Sequence, residues 1–167
     1  LSIINDILDF SKIESGKMDI TEQPYKLNDI LLNVVNMIKI KAEKKNLMFV
    51  VSVSETLPND LTGDDVRVSQ IVLNLLNNAV KYTQKGTITL KLNGEYVDKS
   101  HIMLHVSVED TGIGIPEDDL AQIYERFYRV DKSHAREVAG TGLGLAITRN
   151  AVLMHKGTIT VSSIEGE

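Results

Sequence analysis

The sequence contains no cysteine among its 167 residues. Disulfides, thiolate metal sites and cysteine nucleophiles are therefore excluded, and the absence of cysteine fits a cytoplasmic setting. No apolar run approaches the roughly 18 residues that a membrane-spanning helix needs, and the chain does not open on a signal peptide.

Lysine and arginine form no basic block, and the formal net charge is −5. A protein held on nucleic acid by phosphate contacts needs the opposite balance, so no nucleic-acid partner is expected. With 43% hydrophobic and 25% charged residues, the chain suits one globular domain with a real core and an appended segment. Because it opens on Leu1 inside a helical pattern, we expect it to be a piece of a longer protein.

Hydrophobic periodicity predicts helices and strands that do not alternate strictly along the chain. Helices are predicted over 1–14, from a cap at Asn28 to about residue 45, from a cap at Asp64 to about Tyr82, over 117–128 and after the last glycine loop. Strands are predicted over 47–53, 87–92, 102–108 and 158–164, with a short extended piece at 18–25. This order predicts an α+β fold, a two-layer α/β sandwich in which helices cover one face of a mixed, mostly antiparallel sheet.

The third predicted helix carries a polar stripe. Its apolar positions, which are predicted to face the core, are Val68, Ile71, Val72, Leu75, Leu76, Ala79 and Val80. Asn74, Asn78 and Lys81 stand at i, i+4 and i+7, so they share one face, with Tyr82 beside it. An amide oxygen is a hard ligand suited to Mg²⁺, and a lysine one turn later would neutralise phosphate charge. The same residues are also compatible with a solvated helix face.

The loop from Glu109 to Pro116, EDTGIGIP, ends a buried strand on a carboxylate and two glycines. The glycines allow positive φ angles and the close approach of a flat ring. The Asp110 carboxylate could accept a hydrogen bond from an exocyclic amino group such as that of adenine. The alternative is an ordinary β-turn that begins with aspartate.

Two later segments are each open to two interpretations. Residues 123–129 form either a helix with a core phenylalanine or a segment that brings Arg129 to a phosphate. The run AGTGLGLAI at 139–147 opens a helix, where backbone N–H groups could hold an anion, although such runs also occur in ordinary turns. Neither glycine loop is a Rossmann fingerprint or a P-loop, since both fall late in the chain and no Gly-Lys-Ser/Thr follows.

The four histidines are scattered along the chain, at His101, His105, His134 and His155. His101 and His105 are predicted to share one face of a strand, but no acid or third ligand falls beside them in the sequence. All four are interpreted as structural or surface residues.

Taken together, these segments resemble the ATP-binding catalytic domain of sensor histidine kinases, of the GHKL ATPase class. NLLNNAVKYT resembles the asparagine box, DTGIGIP the first glycine box, ERFYRV the phenylalanine box and GTGLGLAI the second glycine box, and their order and spacing agree. The resemblance covers roughly residues 20–164. LDFSKIESGKM resembles the end of a second dimerisation helix with its connector, so we divide the chain into a connector at 1–18 and an ATP-binding domain at 19–167.

The resemblance implies that ATP and Mg²⁺ bind between helices and under a mobile lid at residues 129–139. Asn78 would coordinate Mg²⁺, Asp110 would take the adenine amino group, and Phe127 would anchor one end of the lid. The implied ATP contacts are Asn78, Lys81, Tyr82, Asp110, Gly112, Ile113, Gly114, Tyr124, Phe127, Arg129, Gly140, Thr141, Gly142, Leu143, Gly144 and Leu145.

The resemblance assigns catalytic roles to Asn74, Lys81 and Arg129. Asn74 would support the polyphosphate site, and Arg129 would contact the γ-phosphate or the acceptor domain. Gyrase-like GHKL hydrolases place a glutamate at the position of Asn74 as the general base for water, and an asparagine cannot abstract a proton. The sequence therefore favours phosphoryl transfer to a protein acceptor over hydrolysis of ATP.

The implied reaction is transfer of the γ-phosphoryl group to a histidine on the protein's own dimerisation domain, for onward signalling to a response regulator receiver domain. The resemblance also implies that this domain lies on the cytoplasmic side, whether or not the intact protein is anchored in a membrane. The intact protein is expected to be a homodimer and this piece of it a monomer. The alternatives are a GHKL protein-serine kinase of the anti-sigma type, against which the LDFSKIE helix argues, and a non-catalytic nucleotide-binding module.

The chain departs from the family pattern in two ways. None of the four histidines lies in a matching context, so we assign no phosphoacceptor to this chain. The chain also stops at SSIEGE, where family members continue into a final strand, so we expect that strand to be truncated.

Overall fold

The computed structural model describes residues 2–130 and 140–166, except for the side chains of residues 2, 3, 5, 6 and 10. Within that part the helices are α1 (Ser2–Glu14), α2 (Leu27–Lys44), α3 (Asp65–Tyr82), α4 (Glu117–Leu120) and α5 (Gly144–Met154). The strands are β1 (Gln23–Lys26), β2 (Met48–Val53), β3 (Asp60–Gly63), β4 (Thr87–Tyr96) and β5 (Ile102–Asp110). The chain divides into two compact units. We call Glu22–Ile113 the central unit, and Leu1–Thr21 together with Gly114–Glu167 the flanking unit.

The central unit is built on a mixed three-stranded sheet in the order β2-β4-β5. β4 pairs with β2 in parallel and with β5 in antiparallel orientation, so that Leu90 lies between Val51 and Val108. Side chains alternate across a strand, and Ile88, Leu90 and Leu92 are fully buried on the face that packs against α2 and α3. The predicted layer of helices on one face of a mixed sheet is therefore confirmed for this unit.

α3 begins where the sequence predicts. The buried side chain of Asp64 accepts a hydrogen bond of 2.9 Å from the backbone N–H of Arg67, which satisfies one of the donors that a helix leaves unpaired at its start. The buried residues of α3 are Val72, Leu76, Ala79 and Val80. Ile71 and Leu75, predicted to face the core, are half-buried instead. At 100° per residue they stand between the core-facing arc and the polar stripe, which explains the difference.

A second, two-stranded sheet precedes α3, and the sequence predicts only half of it. β1 pairs with β3 in antiparallel orientation, with Pro24 opposite Thr62. This pairing brings Asn59 to the start of α2, where its side chain accepts a 2.9 Å hydrogen bond from the backbone N–H of Asn28. The prediction that Asn28 caps α2 is therefore wrong: Asn28 lies inside the first turn, and the cap comes from a residue 31 positions later in the chain.

In the flanking unit, the helix predicted over 117–128 is cut short. α4 ends at Leu120, and turns follow it. Phe127 has a φ of 61°, and its N–H donates to the carbonyl oxygen of Gly142 at 3.0 Å. A residue in this left-handed conformation cannot continue a right-handed helix, so the predicted helix is wrong beyond its first turn.

The strand predicted over 158–164 is wrong as well. This described segment belongs to no ladder, although polar and apolar residues alternate in its sequence from Thr158 to Ser162. Its Ser163 hydroxyl oxygen instead accepts a 2.8 Å hydrogen bond from the N–H of Ile115. Alternation indicates which faces a strand would present, but a strand also needs a partner with free backbone groups.

The remaining contacts of the flanking unit join its two chain segments. α1 packs against α5, and the carboxylate of Glu14 lies 3.2 Å from the guanidinium of Arg126. Among the described helices of both units, none is long and apolar enough to span a membrane.

Candidate active site

The polar stripe of α3 is present as predicted, on an unbroken helix. Asn74, Asn78 and Lys81 fall within about 60° of one another around the helix axis, and all three side chains are half-buried. The ammonium group of Lys81 lies 4.8 Å from the centre of the Tyr82 ring, on the face that attracts cations. The stripe thus presents two neutral amides and one cation that is held beside an aromatic ring.

Asp110, the last residue of β5, is oriented by two neighbours. Its Oδ1 atom accepts a hydrogen bond of 2.9 Å from the N–H of Gly112 and one of 3.3 Å from the hydroxyl of Thr83. Thr83 follows α3 directly and is fully buried. Because both donors converge on one oxygen, protein contacts fix the direction of the second oxygen before any ligand is present. The sequence analysis identified Asp110 but missed Thr83.

Gly112 is required by space rather than by its φ angle. A Cβ atom at this position would lie 2.5 Å from the Oδ1 atom of Asp110 and 2.9 Å from the backbone oxygen of Tyr82. The prediction that a positive φ explains both glycines of this loop is wrong for Gly112, whose φ is not positive, and holds for Gly114, whose φ is 73°. Ile113 between them is 53% exposed, so its side chain is available to a ligand.

The described ends of the predicted lid, which belong to the flanking unit, are joined by their backbones. Besides the hydrogen bond from Phe127 to Gly142, a Cβ atom on Gly142 would lie 2.7 Å from the carbonyl carbon of Phe127. Phe127 is 63% exposed as a residue, and its described contacts with Gly142 are made by the backbone. Arg129 donates to the carbonyl oxygen of Gly140 at 3.2 Å. Lid positions 131–139, His134 among them, lie outside the described residues.

The second glycine box leads into α5 as predicted. The hydroxyl oxygen of Thr141 accepts from the N–H of Leu143 at 3.3 Å, and buried Leu143 accepts the first helical hydrogen bond, from Ile147, at 2.9 Å. α5 therefore starts at Gly144, followed by half-buried Leu145. The start of a helix combines outward-pointing N–H groups with the positive end of its dipole, which is the chemistry that an anion requires.

Tyr124 lies in a cavity of about 150 Å³ within the flanking unit. The cavity is lined by Ile13, Tyr124, Arg126, Ala146, Ile147, Arg149, Asn150 and Leu153. The guanidinium of Arg149 lies 5.4 Å from the centre of the Tyr124 ring. Burial raises the pKa of the Tyr124 hydroxyl, and the Arg149 charge opposes that rise, so Tyr124 is neutral near neutral pH. In the same unit, the hydroxyl of Tyr128 donates to the carboxylate of Asp119, which raises the pKa of Tyr128.

The described residues contain no group of three histidine, aspartate or glutamate side chains that could hold a metal ion. The side-chain amide oxygens of Asn74 and Asn78 are the groups on the stripe whose chemistry could hold Mg²⁺, an ion that commonly keeps water and phosphate oxygens as its other ligands. The residues present therefore fit an ion that arrives with a polyphosphate rather than one held by a protein cage.

The described histidines each have one polar partner, and the buried Nε2 atom of His155 has none among the described residues. His101 lies 2.8 Å from Asp98, and His105 lies 3.7 Å from Glu95. The Nδ1 atom of His155 lies 2.7 Å from the carbonyl oxygen of Ala151 on α5. His101 precedes β5, so the prediction that His101 and His105 share a strand face is wrong.

A family model described as "Histidine kinase-, DNA gyrase B-, and HSP90-like ATPase" matches residues 63–167. The chain belongs to this family. The matched range begins just before α3 and includes every predicted site residue, from Asn74 to Leu145. The family shown by the comparison is thus the one that the four sequence motifs indicate.

Curated relatives of this histidine-kinase-like ATPase domain are sensor kinases. The sensor protein GacS of Pseudomonas syringae pv. syringae is 41% identical over 167 residues, which are 100% of this chain and 18% of GacS. The sensor protein ArcB of Escherichia coli K12 is 39% identical and the histidine kinase BarA of the same strain 37%, over 99% and 98% of this chain. The chain spans about a fifth of the length of these relatives, 18% of BarA and 21% of ArcB.

Solved structures agree with the fold. Full-length ShkA in complex with AMPPNP matches with a TM-score of 0.81 and 30% identity, over 99% of this chain and 33% of ShkA. The catalytic domain of histidine kinase ThkA matches with a TM-score of 0.62 and 30% identity, over 81% of this chain and 82% of that catalytic-domain chain. The α+β fold of the ATPase domain is thereby confirmed.

Proposed function

We propose that this ATPase domain binds Mg-ATP and donates the γ-phosphoryl group to a histidine on a dimerisation domain outside this chain. The observation that carries the proposal is the Asp110 carboxylate, held by Thr83 and Gly112 where β5 ends. A carboxylate that is fixed in direction is suited to accept from one amino group and to reject a carbonyl at the same place. The sensor-kinase relatives support the same assignment.

At the base end, Asp110 accepts a hydrogen bond from the 6-amino group of adenine. Because Gly112 has no Cβ atom, the Asp110 carboxylate and the backbone at the end of α3 can lie close to the loop. The exposed side chain of Ile113 offers apolar surface to the base.

At the phosphate end, Asn78 contributes an amide oxygen to Mg²⁺, whose charge offsets that of the phosphates when it is bound. Lys81 and Tyr82 face the phosphates and the ribose. The backbone N–H groups of Gly140, Gly142 and Gly144 and the guanidinium of Arg129 serve the transferred phosphate.

Asn74 decides between transfer and hydrolysis. The asparagine supports the polyphosphate but cannot act as a general base for water. The chain therefore acts by positioning and by charge neutralisation, and the attacking atom comes from the acceptor histidine. A serine kinase of the anti-sigma type would share Asn74, and the sensor-kinase relatives favour the histidine kinase.

The partners follow from the reaction. The phosphorylated histidine passes its phosphoryl group to a response regulator receiver domain, and the intact protein is a homodimer through the dimerisation helices of which α1 is an end. The multidomain relatives, of which this chain spans about a fifth, leave room for those additional domains.

The experiment measures binding and transfer separately. Calorimetry with Mg-ATP should give a saturable site, and Asp110→Asn should weaken it. Asp60→Asn is the matched control because Asp60 is exposed and pairs with Lys26. With γ-labelled ATP, this chain alone should incorporate little label, and addition of a dimerisation domain taken from GacS should give acid-labile phosphohistidine on that domain. Stable labelling of this chain alone, or acid-stable phosphoserine on the acceptor, would overturn the proposal.

A further inference from the structure

α2 ends in a rigid turn close to the end of α3. The N–H of Leu47 donates to the carbonyl oxygen of Ala42 at 2.9 Å, and the N–H of Asn46 donates to that of Glu43 at 3.0 Å. Asn46 has a φ of 55°, and Leu47 is buried. This is the Schellman arrangement, in which a residue in the left-handed conformation ends the helix. It fixes the backbone of Lys45, the residue just before the turn.

The side chain of Lys45 reaches from this turn to the last carbonyl groups of α3. Its ammonium nitrogen lies 2.6 Å from the oxygen of Val80, 3.0 Å from that of Lys81 and 3.4 Å from that of Thr83. The last carbonyl groups of a helix lack partners within it and form the negative end of its dipole. One ammonium group with three N–H bonds thus ties together the residues on either side of the end of α3.

Thr83, at the end of α3, is hydrogen-bonded to Asp110. The N–H of Thr83 donates to the carbonyl oxygen of Ala79 at 3.0 Å, and its hydroxyl donates to the Oδ1 atom of Asp110. The carbonyl of Thr83 is one of the three groups that Lys45 holds. A continuous chain of hydrogen bonds therefore runs from Lys45 through Thr83 to the carboxylate.

We propose that Lys45 is a positioning residue for nucleotide recognition: by capping α3 it holds Thr83, and through Thr83 it fixes the Asp110 carboxylate for a purine 6-amino group. The inference rests on the proposed function, since it deepens the role of Asp110. Lys45 contacts no nucleotide itself. Its effect is on how sharply the site distinguishes a 6-amino purine from a 6-oxo purine.

This role differs from a contribution to stability. Lys45 is an exposed residue, and its bonds to the carbonyl groups of Val80, Lys81 and Thr83 are exposed or partly buried, so water can reach these oxygens when the ammonium group is removed. A hydrated helix end is less narrowly oriented than one held by a single cation, and the orientation of supporting groups limits the precision of a site. The loss of Lys45 should therefore reduce discrimination between nucleotides more than it reduces folding.

A matched control lies one turn earlier on α2. The ammonium group of Lys41 also bridges to α3, where it lies 2.6 Å from the side-chain oxygen of Asn77. Lys41→Met and Lys45→Met remove the same charge and the same kind of interhelical bond. Only the contacts of Lys45 lead to Thr83 and Asp110.

The experiment measures the affinity of this chain for ATP and for inosine triphosphate, both with Mg²⁺, by calorimetry. Inosine triphosphate carries a carbonyl where ATP has the 6-amino group. In Lys45→Met the ratio of the two affinities should fall at least about fivefold, because a hydrogen bond to a charged group accounts for roughly a tenfold effect or more. Lys45→Arg should restore most of the ratio, and Lys41→Met should leave it unchanged. Thr83→Val should lower the ratio as well. The double variant Lys45→Met/Thr83→Val should have the same ratio as Thr83→Val alone, because Lys45 acts through Thr83.

The outcomes distinguish a failure of the proposed adenine role of Asp110 from a failure of the proposed role of Lys45. A wild-type chain that binds both nucleotides equally well overturns the adenine role of Asp110 and this inference with it. A wild-type chain that discriminates, alongside a Lys45→Met variant that discriminates as well, overturns the inference alone. If Lys45→Met lowers the affinities for ATP and inosine triphosphate by the same factor, the inference is also overturned, because Lys45 then has a merely structural role. If Lys45→Met does not remain folded at the assay temperature, Lys45→Gln is measured against the same criterion.

Discussion

The substitution Gly112→Ala tests the geometry of the candidate base site most directly. The added Cβ atom would lie 2.5 Å from the Oδ1 atom of Asp110, 2.9 Å from the backbone oxygen of Tyr82 and 3.2 Å from the hydroxyl of Thr83. The backbone oxygen cannot rotate away, so the carboxylate has to move. Overpacking of this kind costs about 1–3 kcal/mol of unfolding free energy. The displaced carboxylate should also lose the two donors that orient it.

The expected result is a drop in both stability and nucleotide binding. Urea unfolding should show the loss of stability, and calorimetry should show ATP affinity reduced at least about tenfold, which corresponds to 1.4 kcal/mol. Gly63→Ala is the control, because a Cβ atom there would meet only the Tyr25 ring, at an ordinary 3.5 Å. Its stability should stay within about 0.5 kcal/mol of the wild type. A Gly112→Ala variant that binds ATP with wild-type affinity would refute the argument that Asp110 is held in one direction.

Three further predictions concern other contacts. Asp64→Ala should lower the free energy of unfolding by about 0.5–2 kcal/mol in urea titrations, because α3 loses its cap; an unchanged midpoint would contradict that role. In Gly142→Ala, a side chain is forced onto a backbone with φ of 71°. Because the N–H of Phe127 donates to the carbonyl oxygen of residue 142, amide hydrogen exchange at Phe127 should accelerate. Unchanged protection of that amide would show that this hydrogen bond does not join the two ends of the predicted lid. The hydrogen bond from Lys91 lowers the pKa of Glu109 from its usual 4.5, so this pair contributes stability above about pH 4.5 that is lost as the pH falls through the lowered pKa. Lys91→Met should therefore flatten the acid limb of the stability curve, and a curve of unchanged slope would exclude the pair as its cause.

The elements that were predicted well are those with local signals. α3 has an acceptor at Asp64, an apolar period and a polar stripe within 19 consecutive residues, and all three signals survive in the fold. β4 and β5 alternate strictly enough to be identified, although β4 runs on to Tyr96. In each case the side chains that define the element also define the face it buries.

The elements that were missed depend on partners far away in the chain. β3 is a strand because β1 pairs with it, and the cap of α2 exists because that pairing delivers Asn59. The helix predicted to continue to residue 128 cannot pass Phe127, whose backbone is left-handed and bonded to Gly142. Local propensity is a weak prior where such contacts compete with it, so the sequence at these points favours a different structure from the one that forms.

In the candidate site, too, some residues have a local sequence signal and others depend on distant contacts. Asn78 and Asp110 could be identified because a ligand-binding residue carries its chemistry in its own side chain and in its nearest neighbours. Thr83 lies 27 positions before Asp110, and Lys45 lies 38 positions before Thr83. In the sequence, Lys45 is one of several lysines at the end of a helix, and only the packing of α2 against α3 makes it a donor to Thr83. Residues that orient a binding residue are therefore found by following hydrogen bonds inward from the ligand-binding atoms, and the nucleotide-discrimination experiment tests whether that chain of contacts is energetically connected.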